Sequence, residues 1–169
     1  MNPRLAAWNK ADEASAFDAM IACCGARHWA DAMVALRPIE TVVDLSDAAD
    51  RVWATMQEAD WMEAFACHPR IGERKAARAS AQSTSWSQQE QSSAAGATES
   101  VLFQLADGNA RYKERFGFTY IVCATGKGAE EMLMILNRRL AGDRATELRE
   151  AAEQQRQITQ IRLGKWLIE

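Results

Sequence analysis

FGFTYIV, residues 116–122, is the stretch on which the fold class turns. From Phe118 to Val122, aromatic and β-branched residues follow one another, which is the composition of a strand. A strand needs a neighbour, because backbone groups must be paired and even a lone two-stranded ribbon is marginal in water. No second run of this kind occurs in the 169 residues. The reading is therefore an extended segment near 118–123 packed among helices, in an all-α fold.

Helical spacing dominates on either side. Phe17, Met20, Ile21 and Cys24 recur at i, i+3, i+4 and i+7, and Gly25 stops that segment. Trp29, Met33 and Leu36 mark a second helix that breaks before Pro38. Ser46 reads as an N-cap ahead of Ala49, Val52, Trp53 and Met56, and Asp60 as the cap of a short helix reaching Ala66. Residues 73–86 are polar and read as a mobile loop. Ser87-x-x-Glu90 has the spacing of a capping box and would open a long helix, with Gly108 as a bend before Tyr112 and Phe116. Met132, Leu133, Leu136 and Leu140 define a helix closing at Gly142, and Asp143 can cap the last one, which runs to Trp166. The expectation is a single-domain compact bundle of about eight helices over residues 1–169, without repeats.

Composition narrows the function. The chain is 48% hydrophobic and 25% charged with a net charge of −3, as in a soluble globular protein and unlike a nucleic-acid binder with a basic face. No apolar run is long enough to cross a bilayer, and MNPRLAAWNKADEA lacks the apolar core of a signal peptide. A cytoplasmic protein is expected. Cys23, Cys24, Cys67 and Cys123 have no C-x-x-C spacing, so they read as free thiols and not as a disulfide framework or zinc site.

Three constellations could carry chemistry. At about 100° per residue, Ala152, Gln155, Thr159, Arg162 and Trp166 all fall within roughly 40° of Leu148. Arg162 therefore shares the inward stripe of the last helix, where an unpaired guanidinium is costly. It is either a structural ion pair or a fork for a substrate carboxylate or carbonyl. Ser87 and Glu90 are either a capping box or, with Gln91, polar groups facing a ligand at a helix N-terminus. His68, in FACHPRIGERKAARAS at 65–80, follows a helix end and is constrained by Pro69. It is either a hydrogen-bonded structural histidine or an acid–base group able to change charge near neutral pH. Arg70, Arg74, Lys75 and Arg78 beside it could steer a small anion or simply form a solvated basic loop. Metal spacing, G-x-S-x-G and phosphate-loop motifs are absent from the sequence. His, Glu, Arg and Gln together suit proton transfer on a small polar molecule.

Read in order, ACCGARHWADAM at 22–33, EAFACHPRIGE at 63–73, WSQQEQ at 86–91, NARYKERFGFTYIVCATGK at 109–127, ILNRRL at 135–140, TELREA at 146–151 and QITQIRL at 157–163 resemble the 2-oxo-4-hydroxy-4-carboxy-5-ureidoimidazoline (OHCU) decarboxylase family of urate catabolism. The resemblance implies an all-helical, typically homodimeric enzyme that works without metal or organic cofactor and converts OHCU to (S)-allantoin. It implies catalytic roles for His68, Glu90 and Arg162, and substrate contacts for Pro69, Ser87 and Gln91. Phe118, Ile121 and Val122 match the segment that lines the family's pocket. Tyr120 stands where the family frequently has Phe. The alternatives are a related lyase or hydrolase acting on another ureide, and a non-catalytic helical interaction module.

Overall fold

The structure is a computed structural model that describes residues 1–72 and 80–169. The described residues are all helical, with nine α-helices, a 3-10 turn at Ser92–Ala94 and no strand. Their contacts group into two units, Met1–Ala64 with Arg156–Glu169, and Phe65–Gln155.

The first unit opens with α1, Pro3–Lys10, a helix the apolar spacing did not reveal. Asn2 caps it by accepting from the N–H groups of Arg4 and Leu5 at 2.9 and 3.1 Å, and Pro3 suits its first position, where an N–H would have no partner. Asp12 caps α2, Glu13–Cys24, by accepting from the Ser15 N–H at 2.8 Å; hydrogen bonds from Ser15 hold its carboxyl below the usual range. Gly25 ends α2 with a φ of 85°, which a side chain would strain. α3 spans Arg27–Ala35.

α4, Val42–Ala54, begins five residues earlier than its sequence suggested. Its cap is Thr41, which accepts from the Asp44 N–H at 3.0 Å and donates to the Asp44 carboxylate at 2.6 Å. Ser46 lies inside the helix and donates to Gln160 at 2.7 Å. α5 spans Glu58–Phe65, so Asp60 sits in its first turn instead of capping it. From there its carboxylate reaches back to the Gln57 N–H at 2.9 Å. In both cases the expected cap lay about one turn late, because a polar residue just inside a helix has the same composition as a cap, and the first valines of α4, Val42 and Val43, are exposed and so stand outside the apolar stripe.

The second unit holds the larger corrections. Residues 81–86 are helical: α6, Ala81–Glu90, is capped by Ser80, which accepts from the Ser83 N–H at 3.1 Å. The rest of the expected loop, residues 73–79, lies outside the described residues, as do Arg74, Lys75 and Arg78. Ser87 and Glu90 close α6 and open nothing. Thr98 caps the long α7, Glu99–Phe116, which runs through Gly108 to Gly117 at φ 84°. Gly108 is a point of close approach and not a bend: a Cβ there would come within 2.6 Å of Leu136 Cδ2 on α8, Ala129–Leu140.

Past Gly117 the chain runs through residues 118–124 without helix or strand, almost wholly buried. Its rings pack tightly: Phe118 lies 5.5 Å from Phe65 and 5.7 Å from Tyr112, and Tyr120 lies 5.5 Å from Tyr112. With no sheet, side chains satisfy the buried backbone. Arg139 donates to the Ile121 carbonyl, Gln154 accepts from the Cys123 N–H at 2.8 Å, and Lys127 donates to the Cys123 carbonyl at 2.8 Å. Arg139 is itself buried and paired with Glu147 at 2.7 Å, and Tyr112 donates to the same carboxylate at 2.9 Å. Burial pushes both tyrosine hydroxyls well above their ordinary range.

The last helix, α9, Arg144–Trp166, is capped by Asp143 as expected, with the Thr146 N–H donating at 2.9 Å. Its residues up to Gln155 belong to the second unit and those from Arg156 to the first. Leu148, Ala152, Gln155, Thr159, Arg162 and Trp166 are all buried, as their spacing predicts. Within the first unit, Arg156 and Gln160 bind Asp50 at 3.0 and 2.8 Å, and Trp166 meets Trp8 edge-on at 6.2 Å.

Candidate active site

His68 follows the end of α5, where its N–H still bonds the Phe65 carbonyl at 3.2 Å. Buried Pro69 then prevents another helical turn. The half-buried imidazole is held through Nε2, which lies 2.6 Å from Oε1 of Gln155. Gln155 is fully buried on α9. Four residues beyond His68, Gly72 adopts a φ of 93° and donates its N–H to the Gln91 side chain at 3.0 Å. That bond ties the His-Pro-Arg-Ile-Gly turn to the end of α6.

α6 has an unusual inward face. Ser83, Trp86, Ser87 and Glu90 are its buried residues, at i, i+3, i+4 and i+7. A stripe of that spacing is normally apolar. Here three of its four members carry polar groups, and Glu90 is only 6% exposed. Burying such groups costs free energy unless each is hydrogen-bonded, so this face is built around polar interactions where a helix of this kind ordinarily buries hydrocarbon.

Phe118, Ile121 and Val122 are buried in the same unit, and Phe118 packs on Phe65, three residues before His68. Arg162 is in the other unit, 1% exposed on α9. Its positive charge opposes the strong upward push that burial gives the Cys23 thiol. The second unit thus brings His68 to Gln155, and Gln91 to Gly72. Ser87 and Glu90 share one face of α6. Gln155 went unassigned in the sequence, although its place beside Arg162 on the inward stripe was the available signal.

Two surface clefts lie elsewhere, one lined in part by Ala94, Gly96, Gly128 and Glu131 and the other by Phe17, Asp31 and Arg37. Neither includes any of the candidate site residues. Among the described residues no three His, Cys, Asp or Glu side chains are grouped to hold a metal ion, and no helix is long and apolar enough to cross a membrane.

A helical scaffold that buries a polar helix face and grips one imidazole by a buried amide has the make-up of a site for acid–base chemistry. A family model described as OHCU decarboxylase matches residues 9–164, and the chain belongs to that family. It is 35% identical over 144 residues to the uric acid degradation bifunctional protein TTL of Arabidopsis thaliana, covering 85% of this chain and 44% of that protein. It is 34% identical over 97 residues to the 2-oxo-4-hydroxy-4-carboxy-5-ureidoimidazoline decarboxylase of Amia calva, covering 57% and 55%. The chain therefore spans about half the length of these two relatives. A crystal structure of an OHCU decarboxylase in the presence of (S)-allantoin matches with a TM-score of 0.78 at 33% identity, over 90% of this chain and 99% of that one.

Proposed function

We propose that the chain is a carboxy-lyase that converts OHCU to (S)-allantoin in urate degradation. The observation that carries this reading is the buried polar face of α6, Ser83, Ser87 and Glu90, in a chain of this family. The match along residues 9–164 supports reading residues 1–169 as one domain of that family.

The substrate can act as its own electron sink. When the bond to the carboxylate breaks and CO₂ leaves, the electron pair moves into the neighbouring C=N bond. One proton must then reach a ring carbon from a single side. The protein's tasks are to orient the carboxylate, stabilise the charge that develops and deliver that proton. We assign His68 as the acid–base group. Glu90 binds the hydroxyl or ring N–H groups of the substrate, and Arg162 takes the oxygen that gains charge. Ser87 and Gln91 hold the ureido arm; Pro69, Phe118, Ile121 and Val122 wall the pocket. No cofactor is assigned a role.

We also assign a homodimer. Phe103 on α7 is 72% exposed and Met134 on α8 is 67% exposed, apolar surface of the sort that a second copy covers. The four free thiols suit a reducing, cytoplasmic setting.

The test is circular dichroism of freshly generated OHCU with and without the protein. Faster formation of one hand of allantoin is expected. Rates and handedness equal to the spontaneous reaction would refute the assignment.

A further inference from the structure

We infer that Gln155 is the positioning residue for His68, fixing which ring nitrogen exchanges the proton. The inference deepens the function proposed above and rests on His68 being its acid–base group.

An amide oxygen can only accept, so the 2.6 Å contact between Gln155 Oε1 and His68 Nε2 requires the proton to sit on Nε2. In the neutral ring, Nδ1 is then the basic nitrogen. When the ring is charged both nitrogens carry protons, and the bond to Gln155 persists. The imidazole can therefore gain and lose a proton at Nδ1 without leaving its anchor.

The choice of an amide matters. A carboxylate at this point would hold the ring equally well but would favour the charged form, as an opposite charge at contact distance does. Glutamine fixes orientation and tautomer while leaving the charge equilibrium to the substrate and the other groups of the site. The anchor is firm, because Gln155 is fully buried and stands on the longest helix. The preceding residue, Gln154, accepts from the Cys123 N–H at 2.8 Å. Two consecutive side chains of α9 thus hold the imidazole and the extended segment at 118–124.

The 169-residue chain with ¹⁵N-labelled histidine tests this directly. The chain has only two histidines, so a His28→Asn variant assigns the signals. Long-range ¹H–¹⁵N correlations at alkaline pH should show neutral His68 with its proton on Nε2. In Gln155→Leu, both tautomers should be populated and kcat should fall about ten- to a hundredfold, a part of what a positioned acid–base group supplies, with KM within about twofold. In the isosteric Gln155→Glu, the His68 titration should rise by about one to three pH units. The His68-dependent limb of the kcat/KM profile should move with it. A wild-type proton on Nδ1, or a titration unmoved in folded Gln155→Glu, overturns the inference while leaving the decarboxylase reading intact. A titration that moves under an unmoved rate profile overturns it differently, by removing His68 as the acid–base group.

Discussion

Replacing Arg139 by Met should destabilise the protein far more than the loss of one surface charge would. The guanidinium pairs with Glu147 at 2.7 Å, and the two side chains are only 3% and 5% exposed. It also donates to the Ile121 carbonyl and lies over the rings of Tyr112 and Tyr120. Met fills similar volume but leaves a buried carboxylate without its counter-charge and a buried carbonyl without its donor. Breaking one side of a buried pair costs about 3–5 kcal/mol, and at roughly 2–4 °C per kcal/mol for a chain of this size the melting temperature should fall by roughly 6–20 °C. Urea unfolding followed by far-UV circular dichroism measures the loss. The double variant Arg139→Met with Glu147→Gln removes the stranded charge and should recover at least about 1 kcal/mol, since contacting residues are strongly coupled. A single-variant cost below about 1 kcal/mol, or a double variant less stable than the single one, would refute the argument. If the segment at 118–124 walls the pocket as proposed, its loosening should also raise KM more than it lowers kcat.

Three further outcomes are expected. His68→Asn should lower kcat by about 10²–10⁴-fold with an unchanged far-UV spectrum; wild-type turnover would remove its assigned role. Tyr112 and Tyr120 are the only tyrosines, and both are buried with hydroxyls shifted upward. Their stabilising share is complete below the unfolded value of about 10 and declines as pH rises beyond it, because the unfolded chain ionises first. Absorbance at 295 nm should therefore stay flat past pH 10 and rise only as helix is lost, whereas a simple phenolate titration in the folded state would contradict the burial argument. Phe103→Lys should leave the circular dichroism spectrum intact and shift the sedimentation coefficient from dimer to monomer; unchanged sedimentation would place any dimer contact elsewhere.

The helical class was legible because apolar spacing and Gly25 mark α2 and because the run at 118–122 had no possible strand partner. The inward stripe of α9 was legible because it contains enough large residues to define an angle. α6 was hidden for the opposite reason: its inward face is mainly polar, so periodicity of hydrophobic residues is silent there. Ser87 and Glu90 share that face at i and i+3, the same spacing a capping box uses, and sequence spacing does not distinguish the two. α1 carried readable signals, Asn2 followed by Pro3 with Leu5 and Trp8 behind them, but its apolar stripe is only two residues long. Gln155 falls on the inward stripe of α9, but a neutral amide there is chemically unassertive, and only its distance to His68 gives it a role.

The make-up of α6 also bears on attempts to harden the protein against heat. Turning Ser83 or Ser87 into small apolar residues would bury hydrocarbon in place of hydroxyls, the kind of exchange that trades activity against stability at working sites. If α6 serves the reaction, those same exchanges would silence it. A heat-resistant yet active version would then have to be sought among exposed positions, with the concealed flank of this short helix left as it is.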